Sequence, residues 1–320
     1  MEKGFLKLEK GKRVTVEALV TQLSERVDRN GNSYIDLTLT RGEEGLSGKI
    51  WNSSLWAGRF PATYNLIMEN KGVVVSAEGI VDEFNGIVQL RIERMDPLKD
   101  ADYRDYLPRS PYSRESMVKE FDEFLLHIKD DDIARLLRAV FSEDIRECFF
   151  DAPAAKTYHH NYISGLLEHS LFIARLGKKT LEVYPEGLIN PDILIGGILV
   201  HDLGKIWEYE NDMGSIEITD KGKLKGHIIM GSEYLGQIAE MEAIPSEKVL
   251  PLQHIILSHH GTREFGAAVL PMTMEAYLVH LLDNVDAKMK RYSDLVKEFP
   301  EFRWTARQRM FNDVEIFLGQ

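Results

Sequence analysis

Cysteine is nearly absent from this 320-residue chain. Cys148 stands alone, so an intramolecular disulfide and a disulfide-stapled secreted scaffold are excluded, and a reducing compartment is expected. Long apolar runs are missing as well. The longest, residues 193–200, falls well short of the ~20 residues that cross a bilayer. The first twelve residues are charged and lack the apolar centre of a signal peptide, so a cytoplasmic protein with no membrane association is expected. Positive charge is in deficit: 39 Lys and Arg stand against 51 Asp and Glu, a formal net charge of −12. That is the wrong sign for a protein that grips duplex nucleic acid through a broad basic face. Internal repeats and low-complexity tracts are also lacking, and no histidine precedes residue 127.

What is present is ordinary globular composition, with 44% hydrophobic and 28% charged residues, enough to build real cores. The length exceeds the ~100–200 residues of one domain, so two are expected. From Arg13 to about Met95 the chain is written in short β-rich segments with turn punctuation. Residues 14–20, 33–40, 45–51, 73–81 and 87–92 read as strands, and a partly helical stretch, 53–68, separates the third from the fourth. In the second strand Ile35, Leu37 and Leu39 alternate with Asp36, Thr38 and Thr40. Five strands with a helix in that place have the order of an OB-fold barrel. The first 100 residues carry 14 Lys and Arg against 15 Asp and Glu, so the barrel is near neutral and the acidic excess lies downstream. A single-strand binder needs only a charged groove with aromatic platforms. Tyr34, Trp51, Trp56 and Phe84 are the candidates, each with a plain core or loop role as the alternative.

Pro97, Pro108 and Pro111 mark a linker over 96–112. Beyond it helices are expected over 113–128, 131–141, 163–184, 192–202, 224–241, 246–258 and 274–298. The fold class is therefore a β domain over 1–95, the linker, and an all-α domain over 113–320.

All ten histidines follow residue 126, most of them beside carboxylates or glycine: Glu168-His169, His201-Asp202-Leu203-Gly204-Lys205, Gly226-His227, His259-His260-Gly261, and His280 three residues before Asp283. Imidazole nitrogen with carboxylate oxygen suits manganese, iron or zinc, and argues against a dedicated magnesium or calcium cage. His201 and Asp202 end the apolar run, which would deliver both inside, and burying them costs several kcal/mol unless they are paired or bound to a cation. Asp202 has two oxygens and can bridge two ions ~3.5–4 Å apart, an arrangement that clamps the attacking and leaving oxygens of a phosphodiester. Lys205 would then meet a phosphate.

The order His169, His201-Asp202, Asp283 is similar to the H…HD…D signature of the HD metal-dependent phosphohydrolases, and His227 with His259-His260 resembles the two-metal branch. Joined to an OB-fold, and with the motifs over 158–162, 165–169, 256–261 and 283–288, the chain resembles the YhaM family of 3′ to 5′ exoribonucleases. The resemblance implies that His169, His201, Asp202 and Asp283 bind a first metal. Asp202, His227 and His259 would bind a second, with manganese expected ahead of iron, cobalt or zinc. It also implies hydrolysis of single-stranded RNA, with single-stranded DNA and self-association left open. His260 is either a third ligand of the second metal or a substrate contact. His160 or His260 would protonate the leaving oxygen, and His159 and His160 either line the substrate pocket or cap a helix. Asp286 is the alternative to Asp283. His280 is expected to orient Asp283, His254 to be structural, His127 to be a packing or surface residue, and Cys148 to be buried and inert. Two other functions fit the same residues: an HD phosphodiesterase or phosphohydrolase for a small nucleotide with a regulatory OB-fold, and an inactive nucleic-acid-binding adaptor.

Overall fold

Alternation along the first 100 residues makes a sheet that closes on itself. In the computed structural model, which describes residue 5 and residues 8–69, 72–84, 86–156, 160–212 and 215–319, five strands pair in the closed order β1-β2-β3-β5-β4. They are β1 (Arg13–Val27), β2 (Ser33–Arg41), β3 (Glu44–Trp51), β4 (Val74–Phe84) and β5 (Ile87–Pro97). The long β1 serves two neighbours by bending: its pairing with β2 shifts between Val20 and Gln22, and its first half pairs with β4. Ile35, Leu37 and Leu39 point into the barrel as their alternation requires, against Leu46, Ile50, Leu90 and Ile92. Two short helices, α1 (Ser53–Arg59) and α2 (Pro61–Glu69), fill the connection from β3 to β4. This is the five-stranded barrel expected from the strand order.

The chain divides into two compact units, Met1–Arg109 with Asn211–Ser215, and Ser110–Glu210 with Ile216–Gln320. Of the proline-marked segment 96–112, residues up to Arg109 group with the barrel, where the Gly42 N–H donates to the Tyr106 carbonyl.

The second unit is helical. Its helices are α3 (Arg114–Leu126), α4 (Asp131–Val140), α5 (Glu143–Asp151), α6 (Gly165–Val183), α7 (Pro191–Val200), α8 (Lys205–Glu208), α9 (Asp220–Met241), α10 (Ser246–Ser258) and α11 (Met274–Glu298). The central one is α7. Asn190 caps it by accepting from the Asp192 and Ile193 N–H groups, Pro191 opens its first turn, and every residue from Ile193 to Val200 is buried. It packs against α6, α10 and α11, so the residues that follow Val200 emerge in the middle of the unit. Phe121, Phe141, Phe149 and Phe150 form an aromatic cluster beneath α3 and α5.

Three features were not expected. Helix α5 is short and its apolar stripe is carried by Phe149 and Phe150. Cys148 points off that stripe and is exposed, which corrects its expected burial. Strands β6 (Tyr209–Asp212) and β7 (Ser215–Ile218) pair between α8 and α9. After α11 the residues to Leu318 fold into a narrow hairpin, with bridges Trp304 to Phe317 and Gln308 to Val314.

Close approach between α8 and α9 depends on Gly204. A Cβ there would stand 2.0 Å from the His227 carbonyl oxygen, a backbone atom that cannot swing aside. Gly204→Ala is expected to cost about 1–3 kcal/mol as overpacking, read as a lower Tm in thermal unfolding. Gly58→Ala, on α1 with no atom within 4 Å of its Cβ, is expected to leave Tm unchanged or raise it.

Candidate metal centre

Five elements converge on one carboxylate. His169 comes from α6, His201 and Asp202 follow α7, His227 lies on α9, His259 and His260 follow α10, and Asp283 lies on α11. Gly226 has φ +73° and breaks α9 just before His227, a positive-φ conformation that glycine adopts without strain.

The two oxygens of Asp202 face different partners. Oδ2 is 3.3 Å from His201 Nε2 and 3.5 Å from His169 Nε2, and His169 Nε2 is 3.2 Å from Asp283 Oδ1. Oδ1 is 3.5 Å from His227 Nε2 and 3.4 Å from His259 Nε2. Bonds of ~2.0–2.2 Å to a shared cation hold ligand atoms roughly 3.0–3.5 Å apart, so these spacings fit ligand sets rather than hydrogen-bonded pairs. His169, His201 and Asp283 form one such set, and His227, His259 and His260 another.

Each of the four principal imidazoles has its Nδ1–H committed elsewhere. His201 donates to the Ile198 carbonyl at 2.6 Å, His259 to the Ile256 carbonyl at 2.8 Å, His227 to Glu208 Oε2 at 2.9 Å and His169 to Asp286 Oδ2 at 2.7 Å. Those bonds turn all four Nε2 lone pairs inward, the arrangement a metal ligand needs. Asp202 Oδ1, His227 Nε2, His259 Nε2 and His260 Nδ1 are buried without a hydrogen-bond partner. Leaving several such atoms unsatisfied is costly, and a divalent cation satisfies them together. The donor set therefore fits the metal that the sequence implies.

The electrostatics agree. Burial opposes protonation of His169, but the surrounding carboxylates of Asp202, Asp283 and Asp286 outweigh it and hold its pKa well above the ordinary histidine value. Burial opposes ionisation of Asp202 and Asp283, yet both stay charged. Lys205 and His201 hold Asp202 well below the usual carboxylate range, and His169 does the same for Asp283. A concentrated negative site that recruits a proton onto its histidine is a site suited to a cation. Burial, with His259 and His227 alongside, lowers His260 to about 3, so it is neutral at physiological pH.

These positions correct several expectations. His160 is fully buried. Its Nε2 lies 3.0 Å from Asp286 Oδ2 and its Nδ1 3.0 Å from the Tyr162 hydroxyl, which itself donates to Glu168. It supports Asp286 behind His169 and does not line the cleft, so it cannot protonate a leaving group. His260 lines the cleft with its Nδ1 buried and without a hydrogen-bond partner, beside His227 and His259 as a candidate ligand. Asp286 is engaged by His169 Nδ1 and His160, so it orients a ligand while Asp283 faces the centre. His280 donates to the His259 carbonyl at 2.9 Å, holding the segment after α10 rather than Asp283. His254 accepts from the Met272 N–H and is structural, His127 is exposed, and His159 lies outside the described residues.

A cleft of about 550 Å³ opens over the centre, lined by Asp202, Lys205, His227, His259, His260 and Asp283, with Tyr209 and Asn284 nearby. Lys205 donates to Asp202 Oδ2. Glu208 and Tyr209 were not singled out in the sequence. They follow the HD motif closely, but only the fold turns Glu208 onto His227. Burial, with the Glu208 and Asp202 carboxylates, pushes the Tyr209 pKa up, so it remains a phenol.

In the barrel, Tyr34 and Trp51 are register partners on β2 and β3 with ring centroids 4.8 Å apart, and Lys49 lies over Tyr34. Trp51 and Phe84 are exposed, Phe84 at the end of β4. Trp56 is buried against Phe60 and Tyr64, which corrects its candidacy for base stacking: α1 turns it inward to seal the barrel.

Asp286→Asn is expected to lower metal affinity 10- to 100-fold by loosening His169 while the far-ultraviolet circular dichroism is unchanged; calorimetric titration with Mn²⁺ checks it. Among known proteins, the HD domain family matches residues 166–288. The mitochondrial single-stranded DNA binding protein Rim1 of S. cerevisiae is 14% identical over 29% of this chain and 100% of its own, at a TM-score of 0.23. The aspartyl tRNA synthetase of Entamoeba histolytica is 15% identical over 54% of this chain and 35% of its own, at 0.24. The 3′-5′ exoribonuclease YhaM of Geobacillus sp. (strain WCH70) is 32% identical over 319 residues, 97% of this chain and 95% of that protein. With both its barrel and its histidine and aspartate centre within that span, the chain belongs to the YhaM exoribonuclease family.

Proposed function

We propose that this protein is a divalent-metal-dependent exonuclease that removes nucleotides from the 3′ end of single-stranded RNA. The observation that carries the reading is Asp202, whose two oxygens face two separate sets of inward-turned imidazoles. His169, His201, Asp202 and Asp283 would hold one cation. Asp202, His227, His259 and His260 would hold a second, with Mn²⁺ the best match to mixed nitrogen and oxygen donors. Bound there, divalent cations supply Lewis acidity to the phosphate oxygens and lower the pKa of the hydrolytic water.

The chain's own residues do the rest. Lys205 holds Asp202 in place and presents positive charge to the phosphate. As water forms the new bond to phosphorus, the bond to the O3′ of the preceding nucleotide breaks and a nucleoside 5′-monophosphate is released. The attacking water gives up a proton to solvent, and O3′ takes one from Lys205 or Tyr209, which line the cleft beside Asp202. In the barrel, the Tyr34 and Trp51 rings offer a platform to an unpaired base.

With 5′-labelled RNA the expected products are a ladder shortening from the 3′ end; 3′-labelled RNA should release labelled mononucleotide from the first turnover. An intact oligomer beside a hydrolysed mononucleotide ester would instead support the small-nucleotide phosphodiesterase, and a parallel single-stranded DNA substrate sets the sugar preference. Chelation is expected to abolish turnover and Mn²⁺ to restore it. Asp202→Ala should lose turnover yet keep single-strand binding, and full activity in that variant would overturn the two-metal reading. Trp51→Ala is expected to weaken RNA binding by about ten-fold, the scale of one lost base stack, measured by fluorescence anisotropy.

A further inference from the structure

The part of the cleft lined by α11 and the C-terminal hairpin contains two cations that the metal centre does not use. Lys288, on α11 one turn beyond Asn284, and Arg309, at the tip of the C-terminal hairpin, both line it. Neighbouring cations on α11 are neutralised: Lys290 pairs with Asp294, and Arg291 with Glu298. Lys288 and Arg309 meet no carboxylate among the described residues, although acidic residues outnumber basic ones in this chain.

The hairpin is built to hold Arg309 there. The Thr305 N–H donates to the Ile316 carbonyl at 3.0 Å, Gln308 N–H to Val314 at 2.9 Å and Leu318 N–H to Arg303 at 2.8 Å, so its two arms pair. Helix α11 fixes both arms, the Tyr292 hydroxyl donating to the Phe317 carbonyl and Arg291 to Gln308 Oε1 at 3.1 Å. Arg309 follows Gln308 directly and begins the tight turn, which closes with Asn312 and Asp313 at positive φ. The matched HD region stops at residue 288, so the hairpin lies beyond it.

Burial gives the two cations a place along the substrate. Asp202 and His259 are buried at the floor, Lys288 is half-buried and Arg309 is exposed at the rim. A strand entering by its 3′ end puts the scissile phosphate at the floor, so the preceding phosphate lies toward the rim. We infer that Lys288 and Arg309 form a second anion subsite, which holds the phosphate one nucleotide upstream of the bond being cut. The inference rests on the exoribonuclease reading and adds to it a reason for preferring an oligomer over an isolated diester: a single phosphate reaches only the floor, whereas a strand engages both places.

The test uses full-length protein, a trinucleotide, and a nucleoside 5′-aryl phosphodiester that has one phosphate only. Arg309→Ala and Lys288→Ala are each expected to raise KM for the trinucleotide about ten-fold, the scale of one charge-assisted contact, with kcat within about two-fold. The ratio of kcat/KM for the trinucleotide to that for the aryl ester should fall by the same factor, and Arg309→Lys should recover most of the loss. Without turnover, in chelator, anisotropy of a fluorescent single-stranded RNA should show the slope of log K against log salt reduced by about 0.7 per substitution. If wild type degrades both substrates and the variants keep its KM ratio and salt slope, the subsite is wrong and the exoribonuclease reading stands. If wild type cleaves only the aryl ester, both fail.

Discussion

Everything in the helical unit is arranged around one buried carboxylate. Asp202 follows an almost wholly apolar helix, so the chain inserts two polar side chains, His201 and Asp202, where water cannot solvate them. Such groups must be satisfied by what surrounds them. Helices α6, α9, α10 and α11 each bring a histidine or aspartate to the same point, and His169, His201, His227 and His259 are locked from behind by a carbonyl or a carboxylate. The cost of burial thereby enforces preorganisation: a loosely placed imidazole would leave Asp202 uncompensated, so folding and ligand geometry select the same packing.

Much of this was legible in the sequence. The barrel declared itself through period-two alternation in Ile35, Leu37 and Leu39 and through turns that stop each strand, signals that are local and survive in any context. The metal centre was legible because its ligands stand in short motifs, above all His201-Asp202 after an apolar run. What could not be read depends on where a side chain points after packing. His160 and His259 look alike as letters. One is a support two bonds behind the centre and the other faces it, and only the packing of α10 and α11 decides which. Trp56 turned inward and Cys148 outward because of the helix face each occupies on α1 and α5. A short helix gives too few turns for its stripe to be fixed from composition. The C-terminal hairpin left almost no trace, being narrow and held chiefly by backbone bonds, which have no residue signature.

Net charge illustrates the same distinction between total and local properties. An excess of acidic residues argued against a broad basic surface, and none is needed for a strand that threads a cleft. Negative charge at the floor favours cations, and Lys288 and Arg309 line the same cleft without a carboxylate partner among the described residues. An acidic protein can in this way present an attractive path to a polyanion over a few ångströms despite its net charge.

Closure of the barrel has a separate consequence. With β1 paired to both β2 and β4 and β3 to β5, the sheet has no unpaired edge strand. It can neither add a foreign strand by main-chain pairing nor template association with another copy through such an edge. A partner reaches the barrel only through side chains and loops. Aromatic faces among those side chains accept any base, because every base has a flat surface and none requires a particular pattern of donors. A domain without edges is therefore suited to holding a strand irrespective of its sequence, the property required where the bound register changes each time a nucleotide is lost.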